Sequence, residues 1–183
     1  MGLGLVNKLK EDGVKFNIDY YPYELKPNAA LEGENLFDSL PKDYVEKSFE
    51  MLAKLGEPYG IKFLNKDKKF NTHRAHLVGE YAKTQGKYDE FSKEAFKAYF
   101  VDIKNLADKE VLNEIAAKIG LDIKEMNKQI DEGKFDDILI DAIDLSQYYE
   151  VESVPTFIIN EKGRLTGVRG YEQFKRSLLE MGE

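Results

Sequence analysis

The chain has 183 residues, of which 42% are hydrophobic and 33% are charged, a composition typical of a folded globular domain. Its formal net charge of −7 argues against nonspecific nucleic-acid binding, which requires a basic surface. The absence of cysteine excludes disulfides, thiolate metal sites and thiol catalysis by residues 1–183 themselves.

Two further features concern the location of the protein. No run of about eighteen apolar residues is present, so we expect no membrane span. The first residues, MGLGLVNKLKEDG, lack the basic region, apolar core and cleavage site of a secretory signal. We therefore expect a cytoplasmic protein.

The first predicted elements are a helix and a strand. Leu3, Val6 and Leu9 recur at helical spacing over residues 2–12, and Gly13 stands where a helix would end. Residues 14–25, VKFNIDYYPYEL, alternate apolar and polar side chains and predict a strand. A long connection that begins near Pro27 follows.

The middle of the chain is predicted to be helical. Apolar spacing predicts helices over residues 42–56, 72–85, 88–101, 108–119, 122–132 and 134–149, with Gly56, Gly86 and Gly120 at three of their ends. TFIIN and RLTGV then flank EKG and predict a hairpin with Gly163 in its turn. A last helix is predicted over residues 171–181.

This order predicts one α/β domain, residues 1–183, in which a helical insertion interrupts a smaller core. The core comprises residues 1–30 and 150–183, and the insertion comprises residues 40–149. Without the insertion the order is helix, strand, strand, strand, helix. A thioredoxin-type core has one more strand, at its beginning.

Several segments resemble the DsbA-like thioredoxin family, in particular its FrnE and 2-hydroxychromene-2-carboxylate isomerase branch. They are YYPYELKPNAALEGENL, FNTHRAHLVGEYAKTQGK, FKAYFVDIKNLADKEVLNEIAAKIGLD and VESVPTFIIN with the following GRLTGVRGYEQF. Leu77 stands where the family has an arginine. The resemblance implies a thioredoxin-like fold with an all-helical insertion.

The same resemblance defines what this sequence lacks. Redox members of the family begin with a strand and a CPxC motif, and Met1–Leu9 aligns with the helix just after that motif. Three interpretations follow: a truncated form of a longer oxidoreductase, a slot filled by a strand from another chain in a homodimer formed by strand exchange, or a lineage that kept binding and lost redox chemistry. The first is favoured, because the sequence begins within a helix that has no N-cap residue.

The resemblance assigns Val154 and Pro155 to substrate binding, because a cis-proline in this family leaves the preceding backbone free to pair with a peptide or glutathione. From the local sequence alone, a trans proline that opens a strand is the simpler interpretation. In NTHRAH, Asn71 and His76 are candidates to line the same pocket. Their alternative roles are a helix N-cap and a packed histidine.

Other motifs have simpler interpretations. His73 and His76 lack a third ligand at a supportive spacing, so we expect no metal site. The acids at 136, 137, 141 and 144 are expected to form the solvated face of an amphipathic helix. The lysines of NKDKK at 65–69 are likewise expected to be solvated, and AYF at 98–100 is expected to be core.

The expected function is that of a DsbA/FrnE-type thiol–disulfide oxidoreductase family member without its own redox dithiol. The alternative is a non-redox protein, or a glutathione-dependent isomerase-like one, that binds peptide or glutathione at the proline groove. The expected partner is a protein thiol or disulfide substrate or glutathione, with no other cofactor.

Overall fold

The computed structural model describes residues 1–168 and 170–182. The helices are α1 Gly2–Glu11, α2 Lys42–Gly56, α3 His73–Thr84, α4 Tyr88–Phe100, α5 Lys109–Lys118, α6 Ile123–Asp131, α7 Asp136–Tyr148 and α8 Tyr171–Gly182. The strands are β1 Glu34–Asn35, β2 Lys68–Lys69, β3 Thr156–Ile159 and β4 Gly163–Thr166. Short 3-10 helices cover Leu36–Asp38 and Glu57–Tyr59.

Every predicted helix is present, with bounds that differ by a residue or two. Local signals account for this agreement. Asp108 and Asp122 accept hydrogen bonds from the backbone N–H groups of Glu110 and Glu125 and so cap the starts of α5 and α6. At the helix ends, Gly13 has a φ of +75°, a conformation that glycine adopts at little cost.

The hydrophobic interior forms two clusters. The larger one is built from α3 to α7 around Val78, Ala82, Leu112 and Ala116, all of them fully buried. The smaller one joins α1, the β3–β4 hairpin and α8 through Leu5, Leu9, Leu165 and Phe174. The hairpin is antiparallel, with Phe157 opposite Leu165 and Ile159 opposite Gly163.

The predicted strand over residues 14–25 is wrong. Residues 14–24 have no regular secondary structure, and no ladder hydrogen bonds join them to another strand in the part of the chain that the structure describes. Val14 and Phe16 instead pack against the smaller cluster, and Tyr20 stacks on Tyr88 with ring centroids 4.7 Å apart. The alternation therefore reflects one partly buried face, because an extended segment becomes a strand only beside a hydrogen-bonding partner.

Two smaller expectations also fail. Gly163 is not in the hairpin turn but is the first residue of β4; the left-handed turn positions are Asn160 and Glu161, with φ of +49° and +60°. Lys66, expected to be solvated, is only 8% exposed. The acids at 136, 137, 141 and 144 are exposed on α7, as predicted.

No helix among residues 1–168 and 170–182 is both long and apolar enough to cross a bilayer. The structure does not test the predicted domain boundaries, which remain predictions.

Candidate functional site

The N-terminal end of α1 lies against the proline loop, residues 151–155. A β carbon added to Gly2 would lie 2.9 Å from the Pro155 Cβ and 3.6 Å from the Phe157 ring. The first helical hydrogen bond of α1 runs from the Leu5 N–H to the Met1 carbonyl. The N–H groups of Gly2, Leu3 and Gly4 thus precede the helical ladder, as expected for the first turn of a helix.

Hydrogen bonds hold the proline loop from both sides. The Gly167 N–H donates to the Pro155 carbonyl over 2.8 Å, and the Thr156 hydroxyl donates to the Ser153 carbonyl over 2.7 Å. The Tyr23 hydroxyl donates to the Val151 carbonyl over 3.2 Å. These contacts fix the backbone around the Val154–Pro155 bond, which is cis.

Val154 lies on the outside of this loop. Its residue surface is 46% exposed, whereas Pro155 is partly buried. An exposed valine beside a fixed backbone offers a ligand both an apolar surface and a main-chain contact. This is the position that the family resemblance assigns to the binding of a peptide or glutathione, an assignment that remains a prediction.

One edge of β3 is open. The Gly167 N–H donates to the Pro155 carbonyl, and Phe157 pairs with Leu165. Pro155 and Phe157 therefore direct their backbone groups toward β4, as every second residue of a strand does. The N–H and C=O groups of Thr156 and Ile158 consequently point to the opposite edge, where the structure shows no strand among the described residues. An extended segment could add to the sheet here.

Asn71 is enclosed by its own chain. Its side-chain amide donates to the carbonyls of Pro27 and Ala29 over 3.1 and 3.0 Å, and its Oδ1 accepts from the His73 N–H over 2.9 Å. The residue is 7% exposed. Its side chain therefore ties the connection after Pro27 to the start of α3. The N-cap position itself is occupied by Thr72, whose side chain makes no capping hydrogen bond.

His76 lies one turn further along α3. Burial lowers the pKa of its imidazole, so the neutral form is favoured. Its Nε2 lies 3.4 Å from the Thr72 hydroxyl. The other histidine, His73, faces the Glu24 carboxylate at 3.2 Å. The described residues include no group of three or more side chains placed to bind a metal.

The four predicted site residues form two pairs, each with its own hydrogen bonds. Those of the Asn71 and His76 side chains involve Pro27, Ala29, His73 and Thr72. Those at the proline loop involve Tyr23 and Thr156. The segment at Tyr23 and Glu24 connects the two pairs, because Tyr23 contacts the proline loop while Glu24 contacts α3.

Sequence reasoning missed the glycines of α1 and the contacts of Tyr23. A β carbon on Gly4 would lie 2.8 Å from the Tyr59 side chain, so both glycines in GLG permit close packing at the start of α1. The sequence carries one local signal for this packing, the GxG spacing of Gly2 and Gly4. No local signal indicated the partner of Tyr23, because Val151 lies 128 residues away.

Three comparisons bear on this arrangement. A family model described as a DSBA-like thioredoxin domain matches residues 4–179. The uncharacterized protein YwbO of Bacillus subtilis is 26% identical over 170 residues, which are 91% of this chain and 82% of the relative. A probable DsbA oxidoreductase from Streptomyces coelicolor superposes with a TM-score of 0.84 at 18% identity, over 98% of this chain and 80% of that one. The fold is thus thioredoxin-like of the DsbA type, with a helical insertion.

Proposed function

The chain belongs to the DSBA-like thioredoxin domain family, and from this premise we propose that residues 1–183 form the substrate-binding part of a DsbA/FrnE-type thiol–disulfide oxidoreductase. The substrate is a protein thiol or disulfide in an extended conformation. The observation that supports this most is the exposed Val154, on a fixed loop that faces the N-terminal end of α1.

The chemistry of exchange needs a thiolate, and residues 1–183 contain no cysteine. The chain's own contribution is therefore to bind and orient. Backbone groups at Val154 would pair with the peptide, and the open edge of β3 at Thr156 and Ile158 would extend that pairing. In an insulin-reduction assay we expect no turnover above the uncatalysed background.

Binding can be tested separately from turnover. We would titrate the chain with reduced, S-alkylated insulin B chain and follow the heat by calorimetry, since the alkylated peptide cannot undergo exchange. Val154→Pro removes the backbone N–H that would donate to the peptide, and Val154→Ala keeps it. We expect Val154→Pro to lose binding and Val154→Ala to retain most of it.

The controls decide whether the loop is the site. Circular dichroism and thermal unfolding would establish that both variants fold. If wild-type protein gives no heat with the alkylated peptide, or if Val154→Pro binds as well as Val154→Ala, the proposal is wrong. Reduction of insulin by residues 1–183 alone would refute the claim that this chain binds substrate but does not carry out the exchange.

A second candidate is a protein that binds glutathione without redox chemistry. It is favoured by the first turn of α1, whose N–H groups precede the helical ladder and suit a carboxylate, and in which Gly2 lies against Pro155. Calorimetric titration with reduced glutathione tests this candidate. Binding of glutathione but not of the alkylated peptide would favour it over the first.

A further inference from the structure

The chain enters the proline loop from the C-terminal end of α7 through a left-handed turn. Glu150 has a φ of +51°, a conformation that side chains other than glycine rarely adopt. The Glu150 N–H donates to the Gln147 carbonyl over 3.1 Å, and the Val151 N–H donates to the Ser146 carbonyl over 2.8 Å. These are the two bonds of a Schellman motif, in which glycine is the usual left-handed residue. A glutamate at this position costs free energy that other contacts must offset.

Arg164 supplies such contacts. It lies on β4 opposite Ile158, and because the next residue, Leu165, is buried in the smaller cluster, Arg164 projects from the other face of the hairpin. Its Nη1 donates to the Tyr149 carbonyl over 2.8 Å and to the Glu150 carbonyl over 2.7 Å. These carbonyls belong to the two planar peptide groups that flank the Glu150 Cα. Holding both of them fixes φ and ψ of the left-handed residue.

Charge strengthens these two hydrogen bonds. The last carbonyls of α7 carry the negative end of the helix dipole, and a guanidinium group stays protonated. The Glu150 carboxylate also lies 3.7 Å from the Arg164 Nη1, but its side chain is 83% exposed, so this ion pair adds little. The contacts with the carbonyls are therefore what joins Arg164 to the turn.

Beyond the turn, the carbonyls of the proline loop alternate. Those of Val151, Ser153 and Pro155 accept the hydrogen bonds that hold the loop. Those of Glu152 and Val154 accept none from residues 1–168 and 170–182. The left-handed turn sets the direction in which the chain leaves α7, and it thereby sets which of these carbonyls stay available to a ligand.

We propose that Arg164 is a positioning residue for substrate binding at the proline loop. By holding the turn at Glu150, it fixes the backbone around Val154 that would pair with an extended peptide. Arg164 acts through the turn and not by contact with the peptide. This inference rests on the function proposed above, because that function supplies the ligand for which the loop is positioned.

Two substitutions test the turn. Arg164→Met removes the donor, and calorimetric titration with reduced, S-alkylated insulin B chain should show binding about tenfold weaker than that of wild type. Glu150→Gly removes the cost of the left-handed conformation. Adding it to Arg164→Met should restore most of the affinity, because glycine adopts the turn without the arginine. Arg176→Met, at an exposed arginine of α8, controls for the loss of one charge and should bind as wild type does.

Amide hydrogen exchange supplies a readout that needs no peptide. The Val151 N–H donates to the Ser146 carbonyl across the turn. It should exchange at least about fivefold faster in Arg164→Met, and at close to the wild-type rate when Glu150→Gly is added. Circular dichroism and thermal unfolding would show that each variant is folded.

Failure of this inference and failure of the proposed function give different results. If wild type binds the peptide and Arg164→Met binds it equally well, the loop is the site but Arg164 does not position it. If Glu150→Gly restores the exchange rate of Val151 but not the affinity, Arg164 contacts the peptide itself and the inference is wrong. If wild type gives no heat with the peptide, the proposed function is wrong, and the role of Arg164 in binding falls with it.

Discussion

Gly2 lies so close to Pro155 that a β carbon at Gly2 would approach the proline Cβ to 2.9 Å. The contact joins the first turn of α1 to the loop that the family resemblance assigns to substrate binding. It depends on glycine because the atom opposite belongs to a rigid ring, which cannot rotate away.

Gly2→Ala should therefore destabilise the protein. Overpacking of this kind costs about 1–3 kcal/mol, which exceeds the gain of about 0.5–1 kcal/mol from the better helix former. Urea unfolding would measure the free energy of unfolding. Gly170→Ala is the matched control, because a β carbon there meets no atom within 4 Å. Equal stability of the two variants would show that the Gly2 contact is readily relieved.

Asn71→Ala tests whether the hydrogen bonds of the Asn71 side chain stabilise the fold. The change leaves the Pro27 and Ala29 carbonyls without their donor and the His73 N–H without its acceptor. We expect a loss of about 2–3 kcal/mol in the free energy of unfolding. Asn17→Ala, at an exposed asparagine, should change little. A stable Asn71→Ala protein with weaker peptide binding would instead favour a direct role in the site.

Lys66 gives a prediction about pH. Its pKa of about 7 in the folded chain lies below the ordinary value of 10.5, so the unfolded chain binds more protons between these pH values. Folding is therefore penalised fully below about pH 7, and the penalty disappears as the pH rises toward about 10.5. Lys66→Met should raise the free energy of unfolding by at least about 1 kcal/mol at about pH 6, and by progressively less in alkali.

Denaturant unfolding of wild type and Lys66→Met across this pH range would supply the comparison. Lys68→Met, at an exposed lysine, is the control for the loss of one charge. A difference between wild type and Lys66→Met that stays constant with pH would show that Lys66 is not desolvated.

The helices were predictable from sequence, since their signals are local. The apolar residues recur at helical spacing within each helix, and the glycines at 13, 86 and 120 stand just after the ends of three of the helices. The segment 14–25 was not predictable in the same way, because the alternation that fits a strand also fits an extended chain packed on one face. Only the presence of a neighbouring strand decides between them.

The candidate site was predictable only in part, because its contacts join residues that are far apart in the sequence. Val154 and Pro155 were identified through a family resemblance, whereas the contact of Pro155 with Gly2 joins opposite ends of the sequence. Lys66 stands in a charged run that is typical of a surface. It is buried because the Tyr99 ring, 33 positions later, covers its amine.

The open edge of β3 leads to a prediction about association. Thr156 and Ile158 direct unpaired backbone groups outward, and β3 consists of Thr, Phe and Ile with no charge to oppose pairing. In the absence of peptide, which would compete for the same edge, we expect a strand from a second copy to fill it. The result would be a homodimer at micromolar concentrations, as measured by light scattering after size exclusion. Ile158→Pro removes an outward N–H without removing a bond to β4, and should leave a monomer. Ile158→Ala keeps that N–H and should still dimerise. If the proline variant forms a dimer, or if the wild type is a monomer at every concentration, pairing at this edge is excluded.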